Sequence, residues 1–219
     1  MSKRSLRERI KTELQEQREK GLLDWSYYVL SHVPSSKNQH YIGLSASDVV
    51  RQGMVANEED FVLDLLMEEE LEVGYRGATP SVEIWDAMDH DVAWLLNRPD
   101  YMVGSDSIYV GLKPHPRAYG TFPRVLGRFR RRFPSLSLEG LVHQVTAIPA
   151  QRFSLNDRGL VKPGKAADIV IFNADSLVDL ATYEEPRRLS QGIEYVIVNG
   201  RIAVENGRPT GVLAGRALP

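Results

Sequence analysis

The sequence predicts an α/β protein in which a helix-rich part precedes a small all-β part. Amphipathic periodicities with capping residues recur through positions 1–147. From about position 148 the pattern changes to short apolar strands separated by Asn-Gly turns. We therefore predict two domains, 1–147 and 148–219.

Each element follows from a local signal. The first five predicted elements are an amphipathic helix at 5–20, a buried strand at 25–32 and three further helices. The first of these helices opens with a capping box at Ser45–Asp48 and runs to Arg51, the second is capped by Asn57, and the third spans 81–96. A short apolar strand, Met102-Val103, and an irregular proline-rich loop at 114–123 follow. Helices at 124–133 and 138–145 come next, and strands at 168–172, 194–198 and 201–204 complete the chain.

Composition excludes several classes of function. The 27 basic and 29 acidic residues leave a net charge of −2, which argues against a nucleic-acid partner. The absence of cysteine excludes disulfides and thiolate metal sites, and it suits a cytoplasmic location. No run approaches the roughly 20 apolar residues of a spanning helix, so we expect no membrane partner.

Asp106 is the first candidate catalytic residue. It follows a short apolar strand and Gly104-Ser105, the position at which α/β barrels place catalytic groups. A carboxylate there can accept a proton from water or contribute to a metal site. The alternative is that Asp106 only caps a turn.

The proline-rich loop carries the second group of candidates. Arg117 can bind a carboxylate through two parallel hydrogen bonds. His115 is the histidine best placed to contribute to a ligand or metal site, and the alternative is an ordinary loop histidine flanked by prolines. The alternative for Arg117 is an ion pair with a neighbouring acid that pins the loop. The basic run Arg128–Arg132 spreads around a helix, so we interpret it as a solvated helix anchored by Phe129 and Phe133.

Four motifs together resemble the carboxy-terminal part of the N-acyl-D-amino-acid deacylases, or D-aminoacylases, of the amidohydrolase superfamily. These are Gly104–Asp106, His115–Gly127, Arg158–Phe172 and Ile193–Gly200. The motif His115–Gly127 is the most specific of the four, whereas the last two are shared by many amidohydrolases.

The resemblance implies the last segments of a (β/α)8 barrel followed by a small β-sandwich portion. It also implies a zinc-dependent hydrolase that cleaves an N-acyl-D-amino acid into a carboxylate and a free D-amino acid. In such an enzyme Asp106 acts as general base and then proton donor, and it is a possible contributor to the metal site. Arg117 holds the substrate carboxylate.

The family's histidine metal ligands precede anything in this sequence. We therefore expect an incomplete barrel, a truncated or split enzyme whose amino-terminal half is a separate chain, and no activity from these 219 residues alone. The alternative is a non-catalytic binding or scaffold remnant of the amidohydrolase fold.

Overall fold

The computed structural model describes residues 3–218, which form two compact units. Unit 1 comprises Met1–Thr79 and Ile108–His115, and unit 2 comprises Pro80–Ser107 and Pro116–Pro219. Helix α8 (Ala147–Arg152) runs across residue 148, within unit 2. Strands replace helices only after α8, and the assignment of 1–147 to a barrel and 148–219 to a sandwich stays a prediction.

Unit 1 is built from three helices and a two-stranded sheet. In chain order its elements are α1 (Lys3–Glu19), β1 (Tyr28–His32), a 3-10 turn (Gln39–Tyr41), α2 (Ala46–Arg51), α3 (Glu58–Glu68) and β2 (Gly74–Gly77). Strands β1 and β2 pair antiparallel. A buried cluster that includes Trp25, Leu30, Val49 and Phe61 forms the core of the unit.

Local capping starts the helices of unit 1 as predicted. The Ser45 side chain accepts from the backbone of Asp48, and the Asp48 side chain accepts from the backbone of Ser45, so the capping box is present. The Asn57 side chain caps α3 by accepting from the backbone N–H of Asp60 at 2.8 Å. Satisfying these otherwise unpaired backbone groups defines where each helix begins.

Unit 2 contains the remaining helices and a four-stranded sheet. Its helices are α4 (Val82–Leu96), α5 (Arg117–Pro123), a π-helical segment (Arg124–Phe129), α6 (Arg130–Arg132), α7 (Leu138–Val145) and α8 (Ala147–Arg152). Its strands are β3 (Ile169–Phe172), β4 (Ile193–Val198), β5 (Arg201–Glu205) and β6 (Arg208–Pro209). They form one antiparallel sheet in the order β3-β4-β5-β6.

The predicted hairpin turn at Asn199-Gly200 is confirmed. Both residues have left-handed backbone conformations, with φ of 48° and 79°, as a type I′ turn requires. The turn joins β4 to β5, whose register is antiparallel.

Two local predictions are wrong, and one strand was not predicted. Met102-Val103 forms no strand, because no neighbouring strand in the described chain offers it a ladder; the Val103 N–H instead donates to the backbone carbonyl of Gln144 at 3.4 Å. The loop at 114–123 is helical from Arg117 onward, because prolines are tolerated at a helix start. Strand β2 was not predicted, because it carries no periodic signal; it pairs antiparallel with β1, which lies beside it.

Among residues 3–218, none of the helices is long and apolar enough to cross a lipid bilayer.

Candidate functional site

The structure brings two of the predicted site residues together. Arg117 is the first residue of α5, and Asp106 lies in the irregular segment that follows α4. Arg117 Nη2 lies 2.7 Å from Asp106 Oδ2. The Asp106 side chain is 83% exposed, so this pair lies at the surface of unit 2.

Asp106 has an unusual backbone conformation. Its φ is 47°, in the left-handed region that few residues other than glycine adopt, although aspartate does so more readily than most. Such conformations concentrate at functional sites, where the surrounding structure maintains them. The conformation therefore favours a site at Asp106, although it also occurs in ordinary turns.

His115, the third predicted site residue, belongs to unit 1. It ends the segment Ile108–His115, which the backbone ties to β1 through the Lys113 N–H and the Ser31 carbonyl, 3.3 Å apart. The side chain of His115 is half-buried. Its role as a substrate-binding residue stays a prediction.

The position of the Arg117 helix depends on close approach at Gly127. A Cβ placed on Gly127 would lie closer than 3.0 Å to the carbonyl oxygen of Leu177, on the segment after β3. That carbonyl also accepts a hydrogen bond from Arg131 Nη2 at 2.9 Å. Glycine at 127 thus lets the helical segment 117–132 pack directly against the backbone near Leu177.

Three arginines one turn apart form a ladder of ion pairs along the same helical segment. Arg124 lies 3.1 Å from Asp89 and 3.7 Å from Asp179, and Arg132 lies 2.5 Å from Asp89. Arg128 lies 3.1 Å from Asp179. Both carboxylates are almost completely buried, so each needs its guanidinium partners.

These contacts correct the interpretation of the basic run as a solvated helix. The aromatic anchors are present, since Phe129 is buried and Phe133 packs on the same cluster. However, Arg130 and Arg131 donate to backbone carbonyls at Ala174 and Leu177 instead of facing water alone. The spacing 124, 128, 132 was a visible i, i+4, i+8 signal for one charged stripe.

Asp179 carries the pKa shift of most interest. Burial raises the pKa of its carboxyl above the usual range, although Arg128 and Arg124 act in the opposite direction. By contrast, hydrogen bonds from Lys11, Arg7 and Asn57 lower the pKa of Asp60 in unit 1. As the pH rises, the contribution of Asp179 to the free energy of unfolding therefore decreases, whereas that of Asp60 increases.

We expect Asp179→Asn and Asp60→Asn to respond oppositely to pH in urea unfolding. A raised folded pKa means that the folded state binds the proton more tightly, so stability from Asp179 falls as pH rises above the unfolded pKa, ~3.9. The loss in free energy of unfolding caused by Asp179→Asn, relative to the parent chain, is therefore expected to be smaller at neutral pH than in acid.

Asp60 gives the matched comparison. Its lowered pKa stabilises the fold above the unfolded pKa of ~3.9, and this stability is lost as pH falls toward the folded value. Asp60→Asn is expected to cost about 1 kcal/mol at neutral pH, and less in acid. Equal pH dependence of the two variants would contradict the assigned causes.

The described residues do not fit a metal site by themselves. Within residues 3–218, no group of three or more histidine, aspartate or glutamate side chains is arranged to hold a metal ion. The histidines lie on separate elements; His90 Nδ1, for example, lies 2.9 Å from the Asp86 carbonyl of its own helix. Asp106 therefore belongs to no group of three possible metal ligands within residues 3–218.

Unit 2 also contains an apolar cavity of about 680 Å³. Phe122 and Leu126 of the helical segment, Val142 of α7, and residues of β3 and β4 line it. Few polar groups reach the cavity, among them Glu139, His143 and Asp168.

Comparison with known families identifies the class of protein that this chain resembles. A sequence profile of the amidohydrolase family matches residues 53–204. The chain is 43% identical over 144 residues to N-acyl-D-glutamate deacylase of Alcaligenes xylosoxydans xylosoxydans, covering 65% of this chain and 29% of that protein. It is 40% identical over 140 residues to D-aminoacylase of the same organism, covering 64% of this chain and 29% of that protein.

Solved structures agree with these sequence relatives. A D-aminoacylase with a binuclear metal centre superposes with a TM-score of 0.71 at 31% identity, covering 87% of this chain and 37% of that one. N-acyl-D-glutamate deacylase from Bordetella bronchiseptica, complexed with zinc and a phosphonate inhibitor, superposes with a TM-score of 0.68 at 30% identity. This match covers 91% of this chain and 39% of that one.

These matches confirm the resemblance to the D-aminoacylases, an enzyme family that hydrolyses amide bonds, and zinc as the metal of a relative. The chain spans about three tenths of the length of the curated relatives it matches.

Proposed function

Because the chain belongs to the amidohydrolase family, we propose that it forms the carboxy-terminal part of an N-acyl-D-amino-acid deacylase. The products would be a carboxylate and a free D-amino acid. The observation that supports this most directly is the 2.7 Å approach of Arg117 to Asp106.

That approach suits the geometry of the substrate. In an N-acyl amino acid, one carbon separates the amide nitrogen from the carboxylate, with bonds of about 1.46 and 1.52 Å on either side. A group that protonates the nitrogen and a group that holds the carboxylate must therefore lie within a few ångströms of each other. Asp106 and Arg117 meet this requirement, and the substrate carboxylate would replace Asp106 as the partner of Arg117.

In the proposed reaction, Asp106 and Arg117 have separate roles. Arg117 binds the substrate carboxylate through charge-assisted hydrogen bonds and so orients the amide. Asp106 accepts a proton from the attacking water, whose oxygen bonds to the amide carbon. When the C–N bond breaks, Asp106 returns that proton to the leaving nitrogen.

We place the zinc ligands on polypeptide outside these 219 residues, because the described side chains do not supply them. A covering polypeptide also suits unit 2, where β3 is an edge strand and no strand of the described chain pairs with its outer side. Val170 and Ile171 of β3 are exposed, and such unprotected apolar edges in native proteins are usually covered. The proposed architecture is the last part of a (β/α)8 barrel with one sheet of a β-sandwich.

A second candidate is a non-catalytic scaffold or binding remnant of the fold. It is favoured by the exposure of Asp106, since a general base in a working site is normally shielded from water. On this alternative, the Asp106–Arg117 pair only fastens the loop to α5.

The two candidates differ in a complementation assay with zinc. We expect no hydrolysis of N-acetyl-D-methionine or N-acetyl-D-glutamate by the chain alone. We expect turnover once it is co-expressed with the amino-terminal portion of the related N-acyl-D-glutamate deacylase. Arg117→Ala is expected to raise KM by roughly 10- to 100-fold, because a charge-assisted hydrogen-bond pair is lost.

Turnover by the chain alone would overturn the claim that the metal ligands lie elsewhere. Calorimetry on the chain separates the remaining outcomes: binding of N-acetyl-D-methionine that its carboxamide analogue does not show, and that Arg117→Ala abolishes, supports a surviving substrate site. Such binding with turnover on complementation supports the deacylase, and such binding without turnover supports a binding remnant. Absence of both turnover and carboxylate-dependent binding supports the scaffold.

A further inference from the structure

We propose that Gln144 is a positioning residue for Asp106, an inference that rests on the proposed function. Gln144 lies on α7 and is only 5% exposed, although its side chain is polar. Its contacts go to the segment that connects α4 to Asp106.

The side-chain amide of Gln144 holds the beginning of this segment. Nε2 donates to the carbonyl of Leu96 at 2.9 Å and to the carbonyl of Arg98 at 2.8 Å. The Leu96 carbonyl ends α4 and lacks an intrahelical donor, so burying it without a partner would be costly. The Arg98 carbonyl also accepts from the Tyr101 N–H at 3.3 Å. The two hydrogens of one primary amide match these two carbonyls.

The backbone of the same residue holds the other end of the segment. The Val103 N–H donates to the Gln144 carbonyl at 3.4 Å, three residues before Asp106. Tyr101 and Val103 also pack against the cluster that contains Leu141, one turn before Gln144 on α7. Gln144 therefore ties the segment 96–103 to α7 at both of its ends.

This attachment matters because the segment has no secondary structure to position it. Residues 101–107 belong to neither a helix nor a strand. Asp106 itself is exposed, and its backbone is left-handed, with φ of 47°. Arg117, by contrast, is positioned by α5, so loss of the Gln144 contacts should displace Asp106 much more than Arg117.

Hydrogen exchange on the chain itself tests the positioning without any need for catalysis. In Gln144→Leu, amides between 97 and 106 are expected to exchange roughly tenfold faster, the equivalent of losing about one buried hydrogen bond. The exchange rates of amides in α4 and in the β3–β4 pair should change by less than about twofold. Gln151→Leu, at an exposed site on α8, is the matched control and should have no effect.

Gln144→Glu adds a signature that general destabilisation would not produce. A buried carboxyl has a raised pKa, and its neutral form has one O–H that can donate to a carbonyl. Protection of 97–106, corrected for intrinsic rates, should therefore be lost at about pH 7.5 and partly recovered at about pH 4.5. Gln144→Leu and Gln151→Glu should show no such recovery.

The complemented enzyme supplies the second readout. Gln144→Leu is expected to lower kcat roughly tenfold or more with little change in KM, because Asp106 moves while Arg117 stays. Unchanged exchange at 97–106, or equal acceleration across unit 2, would overturn the positioning role. If exchange behaves as expected while the complemented parent enzyme shows no turnover, the deacylase proposal fails and the anchoring of this segment remains.

Discussion

Asp106→Asn is expected to lower kcat of the complemented deacylase by about 100- to 10,000-fold, the usual contribution of a general acid–base group. Asparagine keeps the shape of the side chain but cannot accept the proton of the attacking water or return it to the leaving nitrogen. The measurement is steady-state hydrolysis of N-acetyl-D-methionine by the co-expressed mixture.

Two observations isolate this effect from changes in folding. Asp106 is exposed and its ion pair with Arg117 lies at the surface, so its loss should change the free energy of unfolding by less than about 1 kcal/mol. Asp100→Asn removes another exposed carboxylate of the same segment, which lies 3.0 Å from Arg98, and should leave kcat within about twofold. A loss of kcat under tenfold in Asp106→Asn would exclude Asp106 as the base.

Gly127→Ala is expected to destabilise unit 2 by roughly 3 kcal/mol, toward the upper end of the cost of overpacking. The added methyl group would meet the carbonyl oxygen of Leu177, which is backbone and cannot rotate away. Separating the two segments would also weaken the Arg131 hydrogen bond to that oxygen. Urea unfolding monitored by circular dichroism measures the loss.

Gly104→Ala is the control for this substitution. A Cβ at Gly104 would have no atom within 4 Å, so the change should alter stability by no more than about 0.5 kcal/mol. A loss below about 1 kcal/mol in Gly127→Ala would mean that the helix can move away from Leu177 without penalty. In that case, close packing at Gly127 would not determine where Arg117 lies.

Helix starts and hairpin turns could be predicted from the sequence because their causes are local. Ser45, Asn57, Ser81 and Ser137 each cap a helix through their own side chain. The same holds for Asn199-Gly200, whose left-handed conformation follows from residue type. These features involve residues three or four positions apart, so a single stretch of sequence contains all of the interacting groups.

The candidate site could be predicted only in part. The sequence identified Asp106 and Arg117 and offered both an anion site and an ion pair for Arg117; the structure places the two side chains in contact. The sequence could not identify Gln144, because its side chain donates to backbone carbonyls at Leu96 and Arg98, which are 48 and 46 residues away. Nothing in the residue types at those positions signals such a contact.

For this protein, the sequence by itself determined the family, the helix caps and the turns, and it supplied Asp106 and Arg117 as candidates for the chemistry. Only the tertiary structure decided the partners of the arginine ladder, because Asp89 and Asp179 become buried carboxylates only after α4 and the segment after β3 pack against Arg124. It also decided that Met102-Val103 is not a strand, since a strand needs a neighbour to satisfy its backbone hydrogen bonds. Burial and strand pairing depend on residues that are distant in sequence. A local sequence pattern does not indicate which distant residues will be in contact.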